Sequence, residues 1–245
     1  ETFTRVFGNR PAGIWPSEGG VSQRALKQFA DNGFTWVASG GKVLANSHDA
    51  HSKACSHRVY RFGDAPIDCF FRDDGLSDLI GFTYSGWRAE DAVTNLIGHM
   101  ENIAEDCPDR DNCLITIILD GENAWEYYPE NGYHFLQQFY NKMTEHPSLK
   151  LTTYQQFLTE KSPQPAREDA LVAGSWVYGT FSTWIGDPDK NRGWEMLAEA
   201  KQAFDEQQAA WEAATAEIRA KMDALTKPGI DVRVERWRTS FPEDL

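Results

Sequence analysis

Apolar residues at helical spacing alternate along the chain with short runs of β-forming residues. The first helix is predicted over residues 21–30, with Ser22 as its N-cap and Asn32-Gly33 at its end. Strands are predicted over 34–39 and 67–72, because both runs are rich in aromatic and β-branched residues. A strand that follows a helix directly is typical of βα units.

The next segments continue the alternation. Residues 114–119 form a nearly unbroken apolar run, which is typical of a strand buried on both faces of a parallel sheet. Helical patterns cover 76–84, 89–103 and 133–143. The sequence therefore predicts an α/β fold with parallel βα units and a barrel, whose ligand site lies at the carboxyl ends of the strands.

The character of the chain changes after residue 161. Residues 162–165 are Pro-rich and predict a linker, and residues 190–225 predict a long helix rich in Ala, Glu, Lys and Gln. Five apolar residues repeat at every seventh position of that helix: Leu197, Phe204, Trp211, Ile218 and Leu225. Polar or small residues between them fit a coiled coil poorly, so we expect this helix to pack on the barrel.

These patterns divide the chain into three predicted regions. A barrel portion with the catalytic motifs covers residues 1–161, and a helical region packed on the barrel covers 162–225. The tail, 226–245, contains an alternating run at 230–237 that predicts a strand.

Composition narrows the class of ligand. A chain of 245 residues can bury one sizeable core, and its formal net charge of −13 would repel phosphate backbones, so nucleic acid is not expected as a partner. Aromatic residues make up 13% of the chain, including nine Trp. Flat rings suit a carbohydrate site, although core packing accounts for most of them. A neutral ligand is therefore favoured.

The cysteines and the termini bear on the cellular compartment. Four cysteines form no CxxC pair, which predicts reduced thiols and a cytoplasmic protein, although Cys107 and Cys113 could form a bridge in an exported one. The sequence has no signal peptide and no long apolar run, so no membrane association is expected. The chain begins close to its first motif, and we expect a preceding portion to be missing. The oligomeric state is left open.

Two carboxylates stand where strands are predicted to end. Glu18 follows a Gly-Ile-Trp-Pro-Ser run, and Asp73 follows the strand at 67–72. Cleaving a glycosidic bond needs one carboxyl to protonate the leaving oxygen and another to stabilise or capture the sugar carbon. The alternative for Glu18 is an acid at a helix N-terminus. Asp74 competes with Asp73 for the acid role, and the position of Asp73 directly after the strand decides between them.

Other residues near these acids are predicted to bind substrate. Arg72 can supply a positive charge that keeps the nucleophile ionised, and Trp15 is a weaker ligand candidate. A third segment follows the apolar run at 114–119, and its side chains could hydrogen-bond sugar hydroxyls or stack on a ring: Asp120, Glu122, Asn123 and Trp125. The alternative is a turn in which Asp120 caps the next element.

Histidines near residue 50 raise the question of a metal site. His48, His51 and His57 lie close in sequence to Cys55, but their spacing matches no zinc template, and a solvated loop explains them better. We therefore expect neither a metal nor another cofactor.

Three sequence blocks resemble those of glycoside hydrolase family 57, whose members include amylases, amylopullulanases and 4-α-glucanotransferases. Residues 13–19 resemble the block that carries the catalytic nucleophile, which would be Glu18. Residues 71–82 resemble the block with the general acid/base, which would be Asp73. Residues 120–125 resemble a block that lines the substrate cleft.

The resemblance extends to the start of the helical region, where Gly174-Ser175-Trp176 and Trp184-Ile185-Gly186 match, and it is greatest for the amylopullulanase-like branch. It implies part of a (β/α)7 TIM-like barrel followed by helices. It also implies a retaining glycoside hydrolase or transglycosylase that acts on α-glucans or maltooligosaccharides, at α-1,4 bonds and as a further option at α-1,6 bonds. A Glu nucleophile and an Asp acid/base would carry out a double displacement, with the carboxyls about 5–5.5 Å apart.

Two alternative functions remain: one follows from a family block that this sequence lacks, and the other from a different reaction on a similar barrel. The family's early His-Gln-Pro block has no counterpart here, so the chain could be a catalytically incomplete fragment that still binds carbohydrate. A metal-dependent polysaccharide deacetylase on a similar barrel would need an Asp and two His on one face of the pocket, a set that the sequence does not suggest.

Overall fold

The computed structural model describes residues 2–48 and 55–225. The chain divides into two compact units, residues 1–183 and 184–245. The three regions and the boundaries predicted from the sequence, at 161 and 225, stay a prediction.

The first unit is built on a five-stranded sheet with the order β1-β2-β4-β3-β5. Strands β1, β2 and β4 are parallel neighbours, and β3 is antiparallel to β4 and parallel to β5. The strands are β1 (Gly13–Ile14), β2 (Trp36–Ser39), β3 (Tyr60–Phe62), β4 (Asp68–Phe71) and β5 (Ala166–Glu168). The α/β class is confirmed, and the sheet formed by the described residues is open, as expected for part of a barrel.

Strand β3 was not predicted, and its antiparallel pairing with β4 departs from the expected parallel βα units. Only residues 63–67 separate β3 from β4. A parallel crossover needs a dozen or more residues, so a connection this short can only produce an antiparallel pair. Gly63 begins the turn with φ +55°, a left-handed conformation that glycine adopts without strain.

Each helix predicted in the first unit has a counterpart, and three further helices, at residues 2–7, 41–47 and 154–161, were not predicted. The helices of this unit are α1 (Thr2–Phe7), α2 (Gln23–Asp31), α3 (Gly41–Ser47), α4 (Asp74–Asp78), α5 (Ala89–Asp106), α6 (Tyr133–Thr144) and α7 (Tyr154–Lys161). Ser22 caps α2 as predicted, since its Oγ accepts a hydrogen bond from the Ala25 amide at 3.2 Å. The helix predicted over 76–84 changes type along its length: α4 is followed by a π-helical segment, Leu79–Thr83, and a 3-10 turn, Tyr84–Gly86.

The strand predicted over 114–119 is not formed as a ladder. The segment instead makes single hydrogen bonds to different partners: Leu114 N–H donates to the His57 carbonyl (2.9 Å), and the Thr116 carbonyl accepts from Asp73 N–H (2.7 Å). Its Ile118 N–H donates to the Ser77 Oγ at 3.2 Å. The neighbouring chain turns from β4 into α4 at this point, so no extended partner continues beside the segment.

Both faces of the sheet are buried. Strand β4 shows this most directly, because Cys69 and Phe71 belong to one hydrophobic cluster and Phe70 to another. A third cluster joins α4 and the π-helical segment to α5 and α6, around the fully buried Leu96. This packing holds the carboxyl ends of β2 and β4, and the start of α4, in fixed positions.

The second unit contains α8, Pro188–Leu225, which confirms the predicted long helix. Its seventh-residue positions are exposed: Leu197 by 60%, Phe204 by 62%, Trp211 by 66% and Ile218 by 58%. The packing of this helix on the barrel stays a prediction. The strand expected at 230–237 lies outside the described residues. No helix in the described parts of the chain combines the length and apolar character needed to cross a membrane.

Candidate active site

Glu18 lies in a tight turn that begins three residues after the end of β1. The turn, Ser17–Gly19, places both Glu18 and Gly19 in the left-handed region, with φ +55° and +59°. A non-glycine residue in this region costs on the order of 1 kcal/mol, and such conformations are concentrated at functional sites. The turn is held by a 2.6 Å hydrogen bond from the Ser39 hydroxyl to the Gly19 carbonyl. Glu18 itself is exposed.

Trp176 holds the Glu18 carboxylate. Its indole Nε1 donates to Glu18 Oε2 at 2.9 Å, and its backbone N–H donates to the Glu18 carbonyl at 3.1 Å. An antiparallel bridge between Val21 and Gly174 brings this distant segment to the turn. Gly40 permits the approach, because a Cβ there would lie 2.6 Å from the Trp176 Cα. The Trp15 ring lies 5.0 Å from the Trp176 ring and is half-buried.

Arg72 is a buried cation between the two motifs, with 7% of its surface exposed. Its guanidinium donates to Asp74 (3.0 Å) and Asp78 (2.7 Å), and its Nε donates to the Ile118 carbonyl (2.9 Å). The guanidinium carbon also lies 5.5 Å from the centre of the Trp176 ring. Arg72 therefore joins α4 to the tryptophan that holds Glu18, and a substrate-binding role for it stays a prediction.

Asp73 lies directly after β4 and is the N-cap of α4. Its Oδ1 accepts from the Leu76 amide at 2.8 Å. Its Oδ2 lies 2.7 Å from His57 Nε2, and both side chains are largely buried, with 14% of Asp73 and 17% of His57 exposed. Each oxygen of this carboxyl therefore has a hydrogen-bond partner.

The contact with His57 governs the protonation of the site. Burial acts to raise the pKa of Asp73, but the hydrogen bonds from His57 and from the Leu76 amide outweigh burial and lower that pKa. Burial also acts to lower the pKa of His57, yet its hydrogen bonds with Asp73 and Cys55 raise that pKa to about 9. The Cys55 thiol lies 4.0 Å from His57 Nδ1, and this contact lowers the thiol pKa.

His57 and Trp176 are the site residues that sequence reasoning missed. His57 was expected in a solvated loop, and the structure places its ring against Asp73 instead. Trp176 carried a signal, the Gly-Ser-Trp motif, but that motif was interpreted as the start of the helical region. No group of three or more His, Cys, Asp or Glu side chains in the described ranges is arranged to hold a metal ion. His51 lies outside those ranges.

The third predicted segment continues from the Ile118 carbonyl that Arg72 binds. Asp120 is half-buried, and Glu122 and Asn123 are exposed. Trp125 packs edge-on against Tyr128, with ring centres 5.3 Å apart, and its ring fills the space in which a Gly132 side chain would lie. These residues form a turn after the extended segment, and their sugar contacts stay a prediction.

Replacing Arg72 tests its joining role. Arg72→Lys removes the planar fork that serves Asp74, Asp78 and the Ile118 carbonyl, so we expect a loss of about 2–4 kcal/mol in the free energy of unfolding. Urea unfolding followed by circular dichroism measures the change. The matched control is Arg88→Lys, at an arginine whose side chain is 78% exposed and whose carboxylate partners lie 3.8 and 3.9 Å away. Its expected change is below about 1 kcal/mol, and equal losses in the two variants would contradict the assigned role.

Comparison with known proteins identifies a matching family and similar folds. The sequence profile described as Glycosyl hydrolase family 57 matches residues 1–168. No curated protein matches the chain significantly in sequence.

Three solved structures are similar in fold. The 4-alpha-glucanotransferase of Thermococcus litoralis is 19% identical with a TM-score of 0.56, over 84% of this chain and 31% of that one. A GH57 branching enzyme of Thermococcus kodakaraensis, in complex with glucose, is 16% identical with a TM-score of 0.59, over 77% and 46%. The alpha-amylase of Thermotoga maritima is 13% identical with a TM-score of 0.60, over 71% and 45%. The chain therefore spans less than half the length of each.

Proposed function

Because the chain belongs to glycosyl hydrolase family 57, we propose that it carries the catalytic carboxylates of an enzyme that cleaves or transfers α-glucan chains by a retaining double displacement. The observation that carries this proposal is the position of Glu18 and Asp73. Both follow parallel strands of one sheet, and Trp176 and Arg72 connect the turns that hold them.

The class of substrate is supported by the similar structures. They are a 4-alpha-glucanotransferase, a branching enzyme and an alpha-amylase, and all three names refer to chemistry on α-glucans. The substrate proposed for this chain is accordingly an α-glucan or a maltooligosaccharide.

In the first step, Glu18 attacks the anomeric carbon of the sugar while Asp73 gives a proton to the departing glycosidic oxygen. The bond between sugar and leaving group breaks, and an ester forms between Glu18 and the sugar. Trp176 binds only the Oε2 of Glu18, so the other carboxylate oxygen is available for the attack. The indole N–H also fixes the side chain in one orientation.

In the second step, Asp73 removes a proton from water or from a sugar hydroxyl, which attacks the same carbon and releases Glu18. Two inversions give overall retention. Around this centre, Trp15 would offer a ring face, and the residues after the extended segment would bind hydroxyls: Asp120, Glu122, Asn123 and Trp125.

Product analysis with maltoheptaose tests this function. Shorter products alone indicate hydrolysis, and longer and shorter products together indicate transfer. Proton NMR of the first product formed should detect the α-anomer, with cellooligosaccharide as an uncleaved control. A β-anomer formed first would rule out the retaining mechanism.

The second candidate is a carbohydrate-binding fragment that cannot complete catalysis. The open sheet of the described residues favours it, since the strands described here leave the barrel unclosed. Saturable binding of maltoheptaose with no turnover at any pH would select this candidate over the enzyme.

A further inference from the structure

The carboxyl of Asp73 is arranged to be ionised, although the proposed reaction needs it to deliver a proton. Its Oδ1 accepts from the Leu76 amide at 2.8 Å, and its Oδ2 lies 2.7 Å from His57 Nε2. Two donors aimed at one carboxyl favour the charged form. Asp73 alone would therefore be short of a proton at neutral pH.

We infer that His57 is the positioning residue that stores the proton of Asp73, so that the acid of the reaction is the His57–Asp73 pair. This inference rests on the proposed function and deepens it. In the first step, the proton on Nε2 passes to Oδ2 and from there to the glycosidic oxygen, which leaves a neutral imidazole beside an ionised carboxylate. In the second step, Asp73 takes a proton from the attacking hydroxyl and returns it to Nε2.

Hydrogen bonds hold the backbone around His57 in place. The His57 carbonyl accepts from the Leu114 amide at 2.9 Å, and the Tyr60 hydroxyl donates to the nearby Cys55 carbonyl at 2.8 Å. The backbone at residues 55 and 57 is therefore held at two points, and the His57 ring itself contacts Asp73 through Nε2 and Cys55 through Nδ1. A histidine in a mobile surface loop would not have both its backbone carbonyl and its ring nitrogen held by hydrogen bonds, as His57 does.

The charged and titratable neighbours leave Asp73 as the dominant partner. Cys55 touches Nδ1 of His57, and Arg58 lies near that thiol. Cys113, in the segment before residue 114, interacts with Cys55 and Cys107. Burial is the larger cause and the contact with Cys107 the smaller one that raise the pKa of Cys113 to about 12, so Cys113 stays a neutral thiol. Asp73 also lines a cleft of about 470 Å³ whose other wall includes His99 and Asp106 of α5.

The first test is an NMR titration of the histidine C2 protons, which requires no turnover. His57 should titrate near pH 9, consistent with its raised pKa, and in Asp73→Asn its midpoint should fall by about two units or more, because the carboxylate partner is gone. A wild-type midpoint at or below the ordinary value of about 6.5 would overturn the inference.

The second test separates proton delivery from a merely structural effect. His57→Gln keeps a hydrogen-bond donor beside Asp73 but cannot store the proton. With maltoheptaose, whose leaving group needs protonation, kcat should fall about 100-fold. With α-glucosyl fluoride, whose leaving group does not, the loss should stay within about threefold. The alkaline limb of the pH profile for kcat/KM should also move from about 9 toward lower pH.

The matched control is His134→Gln, at a histidine that is 52% exposed and 3.3 Å from the Glu130 carboxylate. It should leave both substrates and the pH profile unchanged. Equal losses with the two substrates in His57→Gln, and an unshifted profile, would reduce His57 to a structural residue and overturn the inference. Absence of wild-type activity on every α-glucan would instead count against the proposed function, and the NMR result would still decide the inference.

Discussion

Glu18→Gln should abolish turnover of maltooligosaccharides, with a loss of about a thousandfold or more in kcat. An amide has nearly the same size as the carboxylate, and its oxygen can still accept the hydrogen bond from Trp176 Nε1. The fold and the turn after β1 should therefore persist. What the variant loses is the negative charge and the nucleophilic oxygen, which no other group in that turn supplies.

A suitable control for this variant is Glu130→Gln. Glu130 is also an exposed glutamate in the left-handed region, with φ +51°, but it lies in a 3-10 turn before α6 and has no proposed role. Its activity should match the wild type within about twofold. Retained activity in Glu18→Gln, or an equal loss in both variants, would remove Glu18 as the nucleophile.

Asp73→Asn should produce the second large effect, and it should depend on the substrate. With maltoheptaose, the loss of the acid should lower kcat by about 100- to 10,000-fold. With α-glucosyl fluoride, the first step should remain fast and the second should slow, since the base that activates water is also gone. A rapid burst of fluoride release followed by slow turnover is the expected result.

Azide provides the control for this variant, because it attacks the glycosyl-enzyme without needing a base. It should restore turnover of α-glucosyl fluoride and give an α-glucosyl azide. An equal loss of activity on both substrates, with no burst and no rescue, would contradict the acid/base role of Asp73.

The His57–Asp73 contact should also make stability depend on pH. The lowered pKa of Asp73 contributes stability above its unfolded value of about 3.8, and this contribution is lost as the pH falls through the folded value. The raised pKa of His57 contributes stability below its unfolded value of about 6.5, and this contribution is lost as the pH rises through about 9. Both pKa shifts report the same contact between His57 and Asp73.

Asp73→Asn should therefore lose the most stability between about pH 4 and 6.5, on the order of 1–3 kcal/mol, and this deficit should shrink toward pH 9. Urea unfolding at a series of pH values measures it. A deficit that does not change between pH 5 and pH 9 would contradict the ion pair.

The elements that the sequence predicts well are those set by local spacing and caps. The Ser22 cap, the amphipathic patterns of α5 and α6, and the long α8 all depend on residues a few positions apart. The motifs around Glu18 and Asp73 could likewise be located at strand ends because each motif is a continuous run of neighbouring residues.

The features that the sequence did not predict depend on distant partners or on short connections. His57 and Asp73 are 16 residues apart, and Trp176 and Glu18 are 158 apart, so no local pattern links either pair. The antiparallel β3 arises from a connection too short for a crossover. Residues 114–119 have the composition of a strand, but the chain beside them turns into α4 and leaves nothing extended to pair with.

The claim that Glu18 is the nucleophile is tested most directly by trapping the covalent intermediate. Incubation with 5-fluoro-α-D-glucosyl fluoride, digestion and mass spectrometry should locate one added sugar on the peptide that contains Glu18, and Glu18→Gln should abolish that label. Label on a different carboxylate of the wild-type chain would contradict the account.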